Sequence, residues 1–337
     1  MKKHVNIPIF IPHYGCPNAC VFCNQVRITG KPCFSESDVR REIDEALSTV
    51  DLSRTEAELA FFGGSFTAIP MNEMLSLLAI SDDYINQSKI SSVRLSTRPD
   101  AIDEEILCIL AEHGVKTVEL GIQSTAAHVL EQCKRGHTRE HSERACRLIK
   151  EHGFNLVGQM MVGLPASTPE DELRTARDIA SFGADGARIY PTVVLPGTAL
   201  AAMEDTGEYV AMTVTEAAER CADVLEIFSD ADVRVIRIGL CSNEILNKDA
   251  SPLSYHAAIG ELTRSLLYRK RMEKALENAV PEDVSCAVFT VASGRISQAV
   301  GQHRSNVTYL CEKFRLHSIR VKESQALKEY AVQLTSE

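Results

Sequence analysis

The chain has 337 residues, of which 45% are hydrophobic, enough for one large core and a small appendage, and a formal net charge of -10. No run of about 18 apolar residues occurs, which excludes a membrane-spanning helix, and an acidity this large would repel nucleic acid if it were evenly spread. It is not even: residues 250–337 hold 12 Lys/Arg against 9 Asp/Glu, so the tail is mildly basic. The opening MKKHVNIPIFIPHYG runs straight into a strand-like segment without a cleavage pattern, which predicts a cytoplasmic protein whose cysteines stay reduced.

The first apolar run, near 5–11, predicts a strand. It is followed by Cys16-Pro-Asn-Ala-Cys20-Val-Phe-Cys23, three thiols spaced C-x3-C-x2-C. Closed iron–sulfur and zinc sites take four protein ligands, so three thiols suit a [4Fe-4S] cluster held by three irons with the fourth open to a small molecule. The alternative is a zinc site completed by Cys33 or His13. Helix 36–49 opens on Ser35-Glu-Ser-Asp38, a capping pattern. Strand 58–62 then enters Phe61-Phe-Gly-Gly-Ser-Phe-Thr-Ala-Ile-Pro70, where two glycines allow a ligand close to the backbone. Helices follow near 71–86, 102–113, 138–152, 168–182 and 213–229, interleaved with strands near 92–97, 116–122, 155–162, 186–192 and 233–239. Thr168-Pro169-Glu170-Asp171 opens one helix, and Gly114 and Gly153 close two. Cys108, Cys146 and Cys221 read as small core residues.

Strict strand–helix alternation predicts a parallel sheet. Its strands are aliphatic on one face and polar or small on the other: Glu119, Gly121 and Gln123 alternate with Val118, Leu120 and Ile122, and Arg94, Ser96 and Arg98 with Val93, Leu95 and Thr97. Two buried faces would give continuous apolar runs instead. The expected fold is therefore α/β, a partial parallel (βα)6-type barrel over residues 1–245 with a small C-terminal α+β domain over 250–337. Tyr190, Thr192, Arg237 and Cys241 fall at its C-terminal mouth and are the candidate substrate residues.

The cysteine run, with Phe22 before its third thiol, resembles the cluster loop of radical S-adenosylmethionine (SAM) enzymes. The segments FFGGSFTAIP, LSTRPDAID, VELGIQS, CKRGHT, GQMMVGLP and RIYPTVVLPGTAL, in this order over residues 5–240, resemble the radical SAM domain of the Elongator catalytic subunit, which modifies wobble uridines in tRNA. Several are also similar to oxygen-independent coproporphyrinogen oxidase. The resemblance implies that Cys16, Cys20 and Cys23 hold the cluster, and that Gly63, Gly64 and Ser65 receive the methionine amino group of SAM. It further implies Arg135 at the carboxylate and Gln123 and Gln159 at the ribose. Gln159 replaces an acid of the porphyrin branch, and Ser96 a glutamate of both relatives. The implied chemistry is one-electron cleavage of SAM to a 5′-deoxyadenosyl radical, fed by a low-potential donor such as flavodoxin or ferredoxin.

Residues 250–337 offer neither room nor motif for an acetyltransferase domain, so the full Elongator reaction is not expected of them. Residues 252–276 predict a helix, 284–291 a strand, then two short helices around Gly301-Gln302-His303-Arg304 and a last strand near 317–322. That turn resembles the clamp loop of KH-type RNA-binding folds, with Arg304 in place of the second glycine. The sequence thus points to a radical SAM enzyme acting on tRNA. The alternatives are a free nucleobase or other metabolite as substrate, or a non-catalytic iron–sulfur RNA-binding sensor.

Overall fold

The structure, a computed structural model, describes residues 3–11, 20–24, 35–240, 254–279 and 286–336. Cys16, His13, Cys33, Cys241 and the expected domain division near 245–250 lie outside them. Seven parallel strands form a curled half-barrel sheet in sequence order: β1 (Lys3–Ile11), β2 (Thr55–Gly63), β3 (Ser92–Thr97), β4 (Val115–Gln123), β5 (Asn155–Val162), β6 (Gly186–Pro191) and β7 (Arg234–Ile238). The connecting helices are α1 (Glu36–Ser48), α2 (Met71–Asn86), α3 (Glu104–Glu112), α4 (Ala127–Gln132), α5 (Arg139–Glu151), α6 (Pro169–Ser181), α7 (Ala199–Asp205) and α8 (Val214–Asp230).

Local chemistry sets the boundaries. Ser35 caps α1 by accepting from the Asp38 amide, and Thr168 with Asp171 forms a reciprocal capping box on α6. Leu59, Phe61, Val93, Leu95, Val118, Leu120, Leu156 and Ile189 point outward under the helices and are essentially inaccessible. The expected core roles of Cys146 and Cys221 agree with their burial, but Cys108 is exposed. On α3 the buried residues are Ile106, Leu107 and Leu110, and the roughly 100° step per residue turns Cys108 to the solvent side.

The opposite face of the sheet is polar and crossed by buried ion pairs. Arg94 on β3 bridges Glu58 on β2 (2.5 Å) and Glu119 on β4 (2.8 Å), and Arg188 on β6 grips Glu119 through Nε (2.7 Å) and Nη2 (3.0 Å). Burial penalises the Arg188 charge, but Glu119 overcompensates and raises its pKa further. Each charge has a partner, as burial at this depth requires.

Beyond the barrel, α9 (Ile259–Ala279) leads to a second sheet of order β10-β8-β9. Strands β8 (Cys286–Ala292) and β9 (Ser318–Ser324) are parallel, joined by α10 (Ile296–Val300), a short 3-10 turn at Gln302–Arg304 and α11 (Ser305–Phe314), and β10 (Val332–Ser336) pairs antiparallel to β8.

Candidate active site

The strand ends converge on one cavity of about 430 Å³, within the usual range for small-molecule sites. Cys20, Phe22 and Cys23 line it beside Gly63, Gly64, Ser65, Ser96, Arg98, Gln123, Arg135 and Gln159, together with Tyr190 and Arg237. Residues 120 or more apart in sequence are thus brought into one wall.

At the glycine turn, the Gly64 amide donates to Ile11 O (2.7 Å), tying the end of β2 to the end of β1, from which the cysteine loop departs. Gly63 sits at φ +107, and an added Cβ would lie 2.6 Å from Ile11 O, so no side chain is accommodated. Ser65 is buried. Across the cavity, the register between β4 and β5 shifts between Gly121 and Gln123, and Gln123 takes a left-handed conformation at φ +66. The Gln159 amide Nε2 donates to Gln123 Oε1 at 3.3 Å, so the two glutamines form one polar edge.

Arg135 follows α4. Its Nη2 donates to Gly121 O (2.6 Å) and its Nη1 to Cys20 Sγ (3.3 Å). Arg98 fixes this residue in turn, donating from Nη2 to Arg135 O (2.6 Å) and from Nε to Asp100 (2.5 Å). Phe22 is half-buried and packs both on Val21, Ala126, Val129, Cys133 and Leu164 and on Val194, Leu200 and Tyr209. Cys133 behind the loop belongs to the core: burial first, then the neighbouring Cys20, pushes its thiol up to about 12.

The substrate candidates divide. Tyr190 is half-buried and interacts with Arg188. Arg237 donates to Gly239 O (2.9 Å) and Leu240 O (3.0 Å), holding the backbone where β7 leaves the sheet. The Thr192 hydroxyl donates to Val162 O (2.9 Å) and the residue is almost fully buried. Cys241 lies outside the described residues. Two contributors were not singled out in the sequence. Arg98 stands in the sequence as one residue of the polar sheet face, and the STRPD turn that carries it is its visible signal. Glu172 on α6 accepts from the Gly163 amide (2.6 Å) and from Arg220 Nη2 (2.5 Å), pinning the exit of β5.

Among the described residues no group of three or more His, Cys, Asp or Glu side chains is arranged around a metal position, since Cys16 falls outside them. The wall nevertheless fits a thiolate-held cluster and an amino-acid-bearing ligand. Two thiols face the cavity. Arg98 Nη1 is buried in the wall with no hydrogen-bond partner among the described residues, and an added Cβ at Gly121 would approach Gln123 Nε2 to 3.0 Å and Arg135 Nη2 to 3.5 Å, filling the space in front of both.

Residues 10–179 match the radical SAM superfamily and residues 184–269 the radical SAM C-terminal domain. Over 239 residues the chain is 26% identical to the uncharacterized protein MJ0486 of Methanocaldococcus jannaschii, covering 68% of this chain and 73% of that protein. It is 30% identical over 195 residues to a tRNA uridine(34) acetyltransferase of the same organism, covering 52% of this chain but only 36% of that protein, so it spans little more than a third of that relative's length. Among solved structures, an N-terminally truncated Elp3 of Methanocaldococcus infernus superposes with a TM-score of 0.63 at 22% identity, over 82% of this chain and 64% of that one, a likeness of fold. The chain belongs to the radical SAM superfamily and is an enzyme whose cofactors are S-adenosylmethionine and a [4Fe-4S] cluster.

Proposed function

We propose that this enzyme modifies a nucleoside within RNA, with tRNA as its substrate. The observation that carries the reading is a single cavity lined by the thiols of Cys20 and Cys23 and also by Tyr190, with a polar edge of Gln123 and Gln159 between. The 30% identity to a tRNA uridine(34) acetyltransferase supports RNA over a free metabolite. The cofactors, when bound, supply a 5′-deoxyadenosyl radical from SAM and one electron of a low-potential donor such as a flavodoxin or ferredoxin.

The chain's own residues bind and orient. Cys16, Cys20 and Cys23 hold three irons. Gly63, Gly64 and Ser65 receive the methionine ammonium, and Arg135 receives the carboxylate with Arg98 holding it in place. Gln123 and Gln159 hydrogen-bond the ribose hydroxyls, and Phe22 closes the site against water. Tyr190 touches substrate, while Arg237 shapes the mouth through the carbonyls it holds. The acetyl-transfer half-reaction of the relative is not part of the proposal, because the match ends within the shared domain.

Comparative nucleoside mass spectrometry of tRNA from cells with and without the gene tests the reading. One nucleoside should disappear, with its precursor accumulating. Identical nucleoside profiles across growth conditions in which the protein is present would contradict it.

A further inference from the structure

The cysteine loop and the turn that follows α4 meet at several points. The Val21 amide donates to Cys133 O (3.3 Å), and Val21 itself is buried against Ala126, Val129, Cys133 and Leu164. Between these two segments Arg135 Nη1 donates to Cys20 Sγ (3.3 Å). The backbone on both sides of this bond is fixed by other contacts, so the bond joins two groups that are already in place.

The turn is as constrained as the loop. The Arg135 amide donates to Leu130 O (2.9 Å) and its carbonyl accepts from Arg98 Nη2 (2.6 Å). Lys134 and Gly136, on either side, hold left-handed conformations at φ +53 and +74, which end α4 and reverse the chain. The side chain is buried, and its Nη2 donates to Gly121 O (2.6 Å). A planar guanidinium held by a carbonyl at one nitrogen and facing a sulfur with the other has little freedom to turn away.

The distribution of charge points the same way. Of the basic side chains packed around Arg135, Arg98 is paired with Asp100 (2.5 Å), while burial first, then the Arg135 charge, keeps His137 neutral. Arg135 places its charge against a sulfur. Reducing a cluster held by Cys20 adds one negative charge to its irons and sulfurs, and a cation hydrogen-bonded to one of the thiolates favours that state. Hydrogen bonds to the sulfurs are among the factors that set iron–sulfur potentials. Because the guanidinium is buried, water and salt screen its charge only weakly.

We infer that Arg135 is a redox-tuning residue: beyond the carboxylate role proposed above, its bond to Cys20 Sγ raises the reduction potential of the cluster. One electron from the flavodoxin- or ferredoxin-like donor then enters more readily, with no proton taken up and no bond broken. This tuning needs neither SAM nor substrate, so it stands apart from the carboxylate role and from the RNA reading.

The test is a redox titration of the reconstituted full chain, followed by electron paramagnetic resonance of the reduced cluster and run without SAM so that no carboxylate competes for the guanidinium. Arg135→Gln and Arg135→Met, with a full complement of iron, should each shift the reduction equilibrium at least tenfold toward the oxidised state, about 59 mV to lower potential for one electron. Arg135→Lys keeps the charge and should recover most of that shift. Gln159→Ala alters the same cavity wall at a residue bonded to Gln123 and should titrate as the wild type does. Wild-type potentials in both Arg135→Gln and Arg135→Met would overturn the inference. A shift as large in Arg135→Lys or in Gln159→Ala would trace the effect to packing or water entry and overturn it as well. Loss of iron from Arg135→Gln and Arg135→Met alike, with all three thiols intact, would make Arg135 a structural support of the loop and equally overturn it.

Discussion

Arg135 donates to the sulfur of Cys20 at 3.3 Å, joining a turn after α4 to a cysteine 115 residues earlier. The same guanidinium holds Gly121 O, and its own carbonyl is held by Arg98. Under the proposed assignment this guanidinium would lie between the cluster thiolate and the SAM carboxylate. Loss of a charge-assisted hydrogen bond of about 1.5–3 kcal/mol predicts a ten- to hundredfold weaker SAM affinity in Arg135→Ala, and Gln159→Ala should lose less through its neutral bond. Anaerobic titration with intact cluster checks this. Unchanged affinity in both variants would remove the assigned binding roles.

Replacing any one of Cys16, Cys20 or Cys23 by alanine should strip most iron and abolish SAM cleavage, because a site with one open iron needs all three thiolates. Cys108→Ala, at an exposed position, and Cys146→Ala, in the core, should retain full iron. Iron content and the visible absorption of the reconstituted proteins decide the matter.

Much of the barrel was legible because its signals are local. Alternation in Val118–Gln123 and the caps at Ser35 and Thr168 are written in adjacent residues, and each took the expected form. What escaped the sequence depends on distant partners. Residues 127–132 and 199–205 are too short for a helical period, and β10 becomes a strand by pairing Val332 and Leu334 with Val291 and Phe289 on β8. Glu119 pairs with Arg94 and Arg188 on neighbouring strands, while the Pro99 turn carries Arg98 away toward Asp100 and Arg135. Arg237 reads as a mouth cation in the sequence, but its bonds to two carbonyls depend on how the chain leaves β7.

Glu119 is the hinge of the buried ion ladder. Glu119→Gln leaves Arg188 with an uncompensated buried charge while Arg94 keeps Glu58, and breaking a buried pair in this way costs about 3–5 kcal/mol. A clear fall in the denaturant midpoint with unchanged m is expected. A variant as stable as wild type would show the ladder to be energetically neutral.

His137 Nε2 donates to Ile122 O (3.2 Å) in the core, where burial first, then the Arg135 charge, lowers its pKa to about 3. The unfolded chain binds this proton near 6.5 and the folded one does not, so stability is fully present above about 6.5 and is lost as pH falls toward about 3. The contribution to the slope is up to about 1.4 kcal/mol per pH unit. His137→Gln should flatten the acid limb of stability against pH, and an unchanged limb would mean that the neutral imidazole is not the cause.

The central claim is tested most directly by incubating the reduced, cluster-loaded enzyme with SAM and bulk tRNA from cells lacking the gene, then measuring 5′-deoxyadenosine and digested nucleosides together. The account predicts 5′-deoxyadenosine formation that rises with tRNA, accompanied by a mass change at one nucleoside. Formation of 5′-deoxyadenosine that is indifferent to tRNA, with no nucleoside altered, would contradict it.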